Sequence, residues 1–145
     1  MRIVRYTEAR RQEWFDILKE ADSSFYNPER AEQETWTIDS LKNDLIGYDH
    51  EDMLIAVAAR NKYSSLGSQI YKSYVRPPYR RKGIGTMLTA LCESDMRGEG
   101  ARWIWTQVDA SNFANLKLKL RMGYHVVKVE RIDCGHQWVQ LCKEL

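Results

Sequence analysis

With 145 residues and 43% hydrophobic content, the chain can bury one sizeable core but falls short of two ordinary domains, so a single domain over 1–145 is expected. Its 22 lysines and arginines against 20 acidic residues leave a balance of +2, which gives no global electrostatic reason to bind nucleic acid or a membrane surface. Cys92, Cys134 and Cys142 form no CxxC pair and read as reduced thiols, and no segment approaches the roughly 20 apolar residues of a membrane helix or the pattern of a signal peptide, so a cytoplasmic location is expected.

Arg2 to Tyr6 alternates charged and apolar residues and predicts a short strand. Trp14, Ile17, Leu18 and Ala21 then follow helical spacing. Residues 22–36 lack a clear period and predict a loop or broken helix, followed by a helix capped by Thr37 with Ile38, Leu41 and Leu45 on one face. Asp49-His50-Glu51-Asp52 reads as a polar turn, and Met53 to Ala59 as a central strand buried on both faces. Ser68 to Val75 is strand-like until Pro77 and Pro78, which cannot donate to a ladder. A helix from Gly83 places Ile84, Met87, Leu88 and Leu91 on one face and stops at Gly98 and Gly100. Trp103 to Val108 predicts a strand whose Trp103 and Trp105 share one face. Ser111 or Asn112 caps a helix with Phe113, Leu116 and Leu120 on one side, ended by Gly123. Tyr124 to Ile132 and Gln137 to Leu145 form a terminal pair of strands.

The informative stretch is Val75-Arg76-Pro77-Pro78-Tyr79-Arg80-Arg81-Lys82-Gly83-Ile84-Gly85-Thr86, between a predicted strand and a predicted helix. A helix start presents unpaired N–H groups and the positive end of the macrodipole, so a glycine-rich approach lets an anion come close to those donors. Gly83 and Gly85 would clear side chains from the place of the phosphates, and Arg80, Arg81 and Lys82 would add positive charge around it. Neither GxxxxGK[ST] nor GxGxxG is present, which excludes the P-loop and dinucleotide fingerprints.

Arg80-Arg81-Lys82-Gly83-Ile84-Gly85 resembles the Arg/Gln-x-x-Gly-x-Gly/Ala signature of the GNAT family of N-acetyltransferases, with the Val-x-Pro of that family before it and Asn112 and Met122-Gly123-Tyr124 at the expected distance after it. The resemblance covers 53–132 well and the first 50 residues in element order. It implies an α/β (α+β) fold: a mixed, mostly antiparallel central sheet flanked by helices, with central strands that splay apart near Val75 and Val108. It also implies acetyl-CoA as acetyl donor and a primary amine, on a small molecule or a protein, as acceptor. Backbone groups of Tyr74, Val75 and Arg76 would pair with the pantetheine arm. The N–H groups of Arg81, Lys82, Gly83, Ile84, Gly85 and Thr86 would hold the pyrophosphate, with Arg80 beside them. Asn112 would contact the pantetheine arm or place the amine.

Acetyl transfer needs a neutral amine, and an alkyl amine has a pKa of about 10.4, so a proton must be removed, an oxyanion stabilised and a thiolate protonated. The tyrosine that many relatives use for the last step is replaced by Lys119, which leaves Lys119, Tyr124 or solvent as the acid, or Lys119 as a residue that binds a phosphate. The strand glutamate of relatives is replaced within Gln69-Ile70-Tyr71-Lys72-Ser73-Tyr74, which leaves Glu29, Glu32, Glu34 or Asp109 as the base. His50, His125 and His136 have no ligand spacing, and no metal is expected. The acceptor side would be formed by 22–36 and the terminal hairpin, and Phe25, Tyr26, Trp36, Trp103, Trp105 and Trp138 are core or amine-recognising aromatics. A non-catalytic acyl-CoA sensor is the alternative. Nucleic acid and membrane are not expected as partners, and the edge of the terminal hairpin leaves room for a second copy in a homodimer.

Overall fold

The computed structural model describes residues 2–25, 33–62, 64, 66–131 and 137–145. Strand β1 (Arg2–Arg5) leads into helix α1 (Arg11–Phe25), helix α2 (Gln33–Leu41) and the hairpin of β2 (Leu45–His50) and β3 (Met53–Lys62). Then come β4 (Gly67–Val75), α3 (Ile84–Gly98), β5 (Trp103–Asp109), α4 (Phe113–Arg121), β6 (His125–Arg131) and β7 (Gln137–Glu144). Among the described residues the strands form one seven-stranded sheet in the order β1-β2-β3-β4-β5-β7-β6. Every neighbouring pair is antiparallel except β4 with β5.

Two apolar layers cover the sheet. Trp14, Ile17, Leu18 and Ala21 of α1 meet Ile38 and Leu41 of α2 over Leu54, Val57 and Ala59 of β3. On the other face Ile84, Leu88, Cys92 and Met96 of α3 pack on Ile55, Ala58, Ile70, Ile104 and Leu141. β3 is therefore buried on both sides, as its unbroken apolar run requires. Each fully buried Leu or Ile here contributes about 2 kcal/mol.

Three expectations are corrected. The second helix runs over Gln33–Leu41, so Thr37 is a buried interior residue and no N-cap, and Leu45 opens a strand. Ladders on both sides of β2 outweigh its local helical spacing. Gly47 allows the strand to pass under α1, because a Cβ there would lie 2.6 Å from Leu54 Cδ1 and 2.7 Å from the Trp14 ring. The polar turn shrinks to Glu51 and Asp52, both at positive φ as a two-residue hairpin demands, while Asp49 is buried in β2 and paired with Arg10 at 2.8 Å. In α4, Phe113 and Leu120 face solvent at 71% and 51% exposure, whereas Lys119 is fully buried beside Leu116. In β5 the residues buried against α3 are Ile104, Thr106 and Val108, and Trp103, partly exposed, lies over Gly67 on the opposite face.

Candidate active site

The site begins where β4 and β5 part. Their parallel pairing joins Gly67–Ile70 to Trp103–Thr106 and stops there. At that point the Thr106 hydroxyl donates to the Ile70 carbonyl at 3.1 Å, closing the fork. Beyond it β4 stays paired to β3 as far as Val75, and β5 stays paired to β7 as far as Asp109, so each strand keeps its outer partner and loses its inner one. The cleft between them is lined by Tyr71 to Tyr74, Gln107 to Asp109, Asn112 and Asn115, with Ala21 of α1 against it. Backbone amides on the inner edges of two parted strands are donors and acceptors without a ladder, suited to an extended ligand that carries amides of its own.

The N-terminus of α3 lies beside the end of β4, where a Cβ at Gly85 would stand 3.8 Å from Val75 Cγ2. The Arg76 N–H continues the β3 ladder by donating to Ile55 at 2.9 Å, and Pro77–Tyr79 then make a single 3-10 turn. Arg81 and Gly83 adopt left-handed conformations, φ 63° and 81°, which bring the chain sharply into the helix. The first intrahelical bond runs from the Met87 N–H to Gly83, so the N–H groups of Ile84, Gly85 and Thr86 lie ahead of it at the positive end of a 15-residue helix. Arg80, Arg81 and Lys82 are exposed around them. Gly83 is open on the side where a Cβ would stand, so its role is both the left-handed turn and clear space. Gly85 differs from expectation: a Cβ there would meet Leu118 Cδ1 at 3.0 Å, so this glycine makes room for α4.

The remaining site residues divide by what holds them. Tyr74 and Arg76 are side-chain anchors: the Tyr74 hydroxyl and Arg76 Nε both donate to Glu20 of α1 at 3.0 Å, and, contrary to expectation, the backbone of both is turned to β3, which leaves Val75 between them on the cleft edge. Glu20 was not legible as a site residue, because it stands on the polar side of α1 beside Ile17 and Ala21 with no motif to mark it. Arg80 folds back over the end of β4, with Nε donating to the Val75 carbonyl at 2.8 Å and its guanidinium 5.4 Å from the Tyr74 ring. Asn112 caps α4, its side-chain oxygen accepting from the Asn115 N–H at 3.3 Å, and also lines the cleft. Asp109 is buried and accepts from the Ser111 N–H and hydroxyl at 2.9 and 2.6 Å.

Lys119 and Tyr124 lie behind the cleft, between α3 and α4, and not on its lining. Lys119 donates to Thr89, and burial pushes its amine down to about 8. The Tyr124 hydroxyl donates to Glu93 at 2.8 Å, and burial, then Glu93, pushes the phenol far above its ordinary range. Glu29 and Glu32, the side chains of Glu34 and Phe25, Tyr26 and the 132–136 turn lie outside the described residues. Trp36 rests edge-on against Tyr71, ring centroids 5.5 Å apart, on the α2 side of β4. Among the described residues no three His, Cys, Asp or Glu side chains gather as a metal site.

A sheet forked at its centre, with a glycine-led helix aimed at the fork, is a frame for a long ligand with amides along its length and phosphates at one end. The chain belongs to the acetyltransferase (GNAT) family, whose model matches residues 6–124. No curated protein matches it in sequence. In structure it is similar to Ard1 from Thermoplasma volcanium, at 12% identity and TM-score 0.83 over 99% of this chain and 97% of that one. It is also similar to yncA from Salmonella typhimurium with its cofactor acetyl-CoA, at 15% identity and TM-score 0.78 over 100% and 94%. The aminoglycoside 6'-N-acetyltransferase from Enterococcus faecium matches at 15% identity and TM-score 0.76 over 99% and 97%. At these identities the likeness is one of fold.

Proposed function

We propose that this chain, as one domain, is an acetyl-CoA-dependent N-acetyltransferase acting on a primary amine. The observation that carries the reading is the adjacency of the fork and the cradle: unladdered amides of β4 lead directly to the three leading N–H groups of α3. Acetyl-CoA supplies the acyl group as an activated thioester. The inner edge of β4 at Val75, between Tyr74 and Arg76, holds the pantetheine arm. The N–H groups of Ile84, Gly85 and Thr86, ringed by Arg80, Arg81 and Lys82, hold the pyrophosphate. The backbone near Val75 serves the oxyanion, and Asn112 steadies the ligand from the opposite wall. Asp109 is the carboxylate of the cleft lining and the group toward which a cationic amine is drawn. Tyr124, held neutral against Glu93, has a packing role, and the thiolate takes its proton from solvent.

The acceptor is an amine of a small molecule or a protein, the location is cytoplasmic, and nucleic acid and membranes are not partners. No described helix is long and apolar enough to cross a membrane. β6 is exposed along its whole length, with Val126, Val127 and Val129 outward, and this edge supports a homodimer. Lys119 at the position of the family's acid favours a second reading, an acyl-CoA sensor without turnover.

A thermal-shift titration with acetyl-CoA, with ATP as control, tests the cradle. Wild type is expected to rise in Tm with acetyl-CoA alone, Gly83→Trp to lose that rise, and Gly83→Ala, which carries the same left-handed strain in a smaller side chain, to keep most of it. No rise in wild type across millimolar acetyl-CoA overturns both readings. A rise without acetyl transfer to any of a panel of amines and N-terminal peptides selects the sensor.

A further inference from the structure

A charge buried behind the cradle has a role that rests on the cofactor reading of that cradle. Lys119 is fully buried, and its Nζ donates to the Thr89 hydroxyl at 3.0 Å. That hydroxyl donates in turn to the Gly85 carbonyl at 2.9 Å. The Gly85 carbonyl shares a peptide group with the Thr86 N–H, one of the three leading donors of α3. Positive charge at Nζ therefore polarises the hydroxyl, then the peptide, and strengthens the Thr86 N–H as a donor. Helix α4 is seated against the same turn, with Leu118 touching the place where a Gly85 side chain would be.

A buried ammonium needs a counter-ion, and the neighbouring groups supply one only in part, through the field of Glu93 and not through a contact. From α3 the titratable neighbours are Cys92, a thiol kept neutral by burial, and Glu93, whose two oxygens are taken by the Tyr124 hydroxyl at 2.8 Å and Lys143 Nζ of β7 at 2.9 Å. The Tyr124 ring lies 5.7 Å from Lys119 Nζ and 5.6 Å from Lys143 Nζ, so it is shared between two cations. On α4 itself the flanking Lys117 and Arg121 are exposed cations. Among the described residues no carboxylate forms an ion pair with Lys119. The negative charge that would complete the arrangement belongs at the other end of the Thr89–Gly85 relay, in the cradle.

We propose that Lys119 is the buried counter-charge of the cofactor's pyrophosphate, coupled to it through Thr89 and the Gly85–Thr86 peptide, and that it takes up a proton from solvent as the cofactor binds. It is a positioning residue that touches neither the thioester nor the amine. Because burial already sets its amine at about 8, the uptake is visible only on the alkaline side of neutrality.

Calorimetric titration with acetyl-CoA in two buffers of different ionisation enthalpy, at pH 6.5 and pH 8.5, reads the proton directly. Wild type is expected to take up several tenths of a proton more than Lys119→Met at pH 8.5, and the two to agree at pH 6.5. Between pH 7.5 and 9.5 wild type is expected to lose about tenfold in affinity while Lys119→Arg, charged throughout, and Lys119→Met, charged nowhere, stay flat. S-acetylpantetheine, which lacks the pyrophosphate, is expected to take up no such proton. Equal uptake by wild type and Lys119→Met at pH 8.5 overturns the proposal while leaving the cofactor site standing. Equal uptake with S-acetylpantetheine also overturns it, by placing the coupling at the sulfur end. Absence of acetyl-CoA binding by wild type at pH 6.5 removes the cofactor reading and this proposal together.

Discussion

Lys119 and Cys92 occupy one interior and prefer opposite protonation changes, so between them they shape how stability depends on pH. Burial lowers the lysine from 10.5 to about 8, and the unfolded chain therefore binds more protons than the native one between those values, so stability rises with pH across that window. Burial raises the cysteine from 9.0 to about 11, the native chain holds the extra proton there, and stability falls with pH across that range. Only from about pH 8 to 9 does the lysine act unopposed. Urea denaturation is expected to show wild type gaining about 1 kcal/mol over that unit, a gain that Lys119→Met lacks. The same variant is expected to be more stable than wild type at pH 7 by about 3 kcal/mol, since it removes a buried charge whose desolvation Glu93 offsets only in part. A flat wild-type profile from pH 8 to 9 would show that the amine titrates as an exposed lysine does. Stability and cofactor affinity therefore pull in opposite directions at this one position.

Whether a single residue was legible in the sequence depended on whether its chemistry is local. The cradle was legible because its chemistry is backbone chemistry: glycines and a proline pair state directly where N–H groups stand free, and Gly83 does hold a left-handed turn. Lys119 was legible as a departure from a pattern but not as a buried cation, because lysine is among the residues least often buried and nothing local marks the exception. Gly85 was misread for a related reason. Its partner is Leu118 of a helix 33 positions later, which no local pattern reveals.

Among the elements, β2 is the one that local reasoning missed, and Gly47 explains why. The stretch from Leu45 has helix-compatible spacing, and only its two ladders and the pressure of Trp14 above it select the extended form. Gly47→Ala would press a methyl group into both Leu54 and the Trp14 ring, and is expected to destabilise the fold by about 1–3 kcal/mol, measured by chemical denaturation, with the spectrum of Trp14 shifted toward that of a more exposed indole. A neutral result would mean that α1 lifts off β2 at no cost. In α4 the misjudged face has a similar origin: Leu and Phe were assumed inward, but helix and sheet already fill the interior, and a long lysine stem fits the remaining gap along α3. The other strands and α3 were legible because each is strongly periodic, continuously apolar, or ended by glycine or proline.

Across the whole molecule the charged residues form ties between layers. Arg10 joins Glu13 and Asp49, Glu13 also accepts from the Leu54 N–H at 2.7 Å, and so α1 is held to the β2–β3 hairpin. Arg60 of β3 bridges Asp44 and Glu99 at 2.7 and 3.0 Å, holding the end of α3 to the sheet. Both ties belong to the half built on β1 to β4. Among the described residues the other half, β5-β7-β6, meets it in the sheet along Gly67–Ile70 and Trp103–Thr106, with Leu66 accepting from Arg102 and Trp103 beside that ladder. Hydrogen exchange is expected to find the inner-edge amides of β4 and β5 beyond the fork fast in the absence of ligand, and slowed when acetyl-CoA is present. Unchanged exchange with bound acetyl-CoA would place the ligand outside the fork.

That narrow seam bears on how readily proteases cut the protein. Four residue pairs are a short splice between two ribbons that the α3 layer also spans, and a molecule lodged in the fork touches both, so a bound donor adds to what holds them together. Parting exposes strand edges to proteases. The purified protein is therefore expected to survive longer under protease with acetyl-CoA present than without it, and equal half-lives would show that the seam does not open.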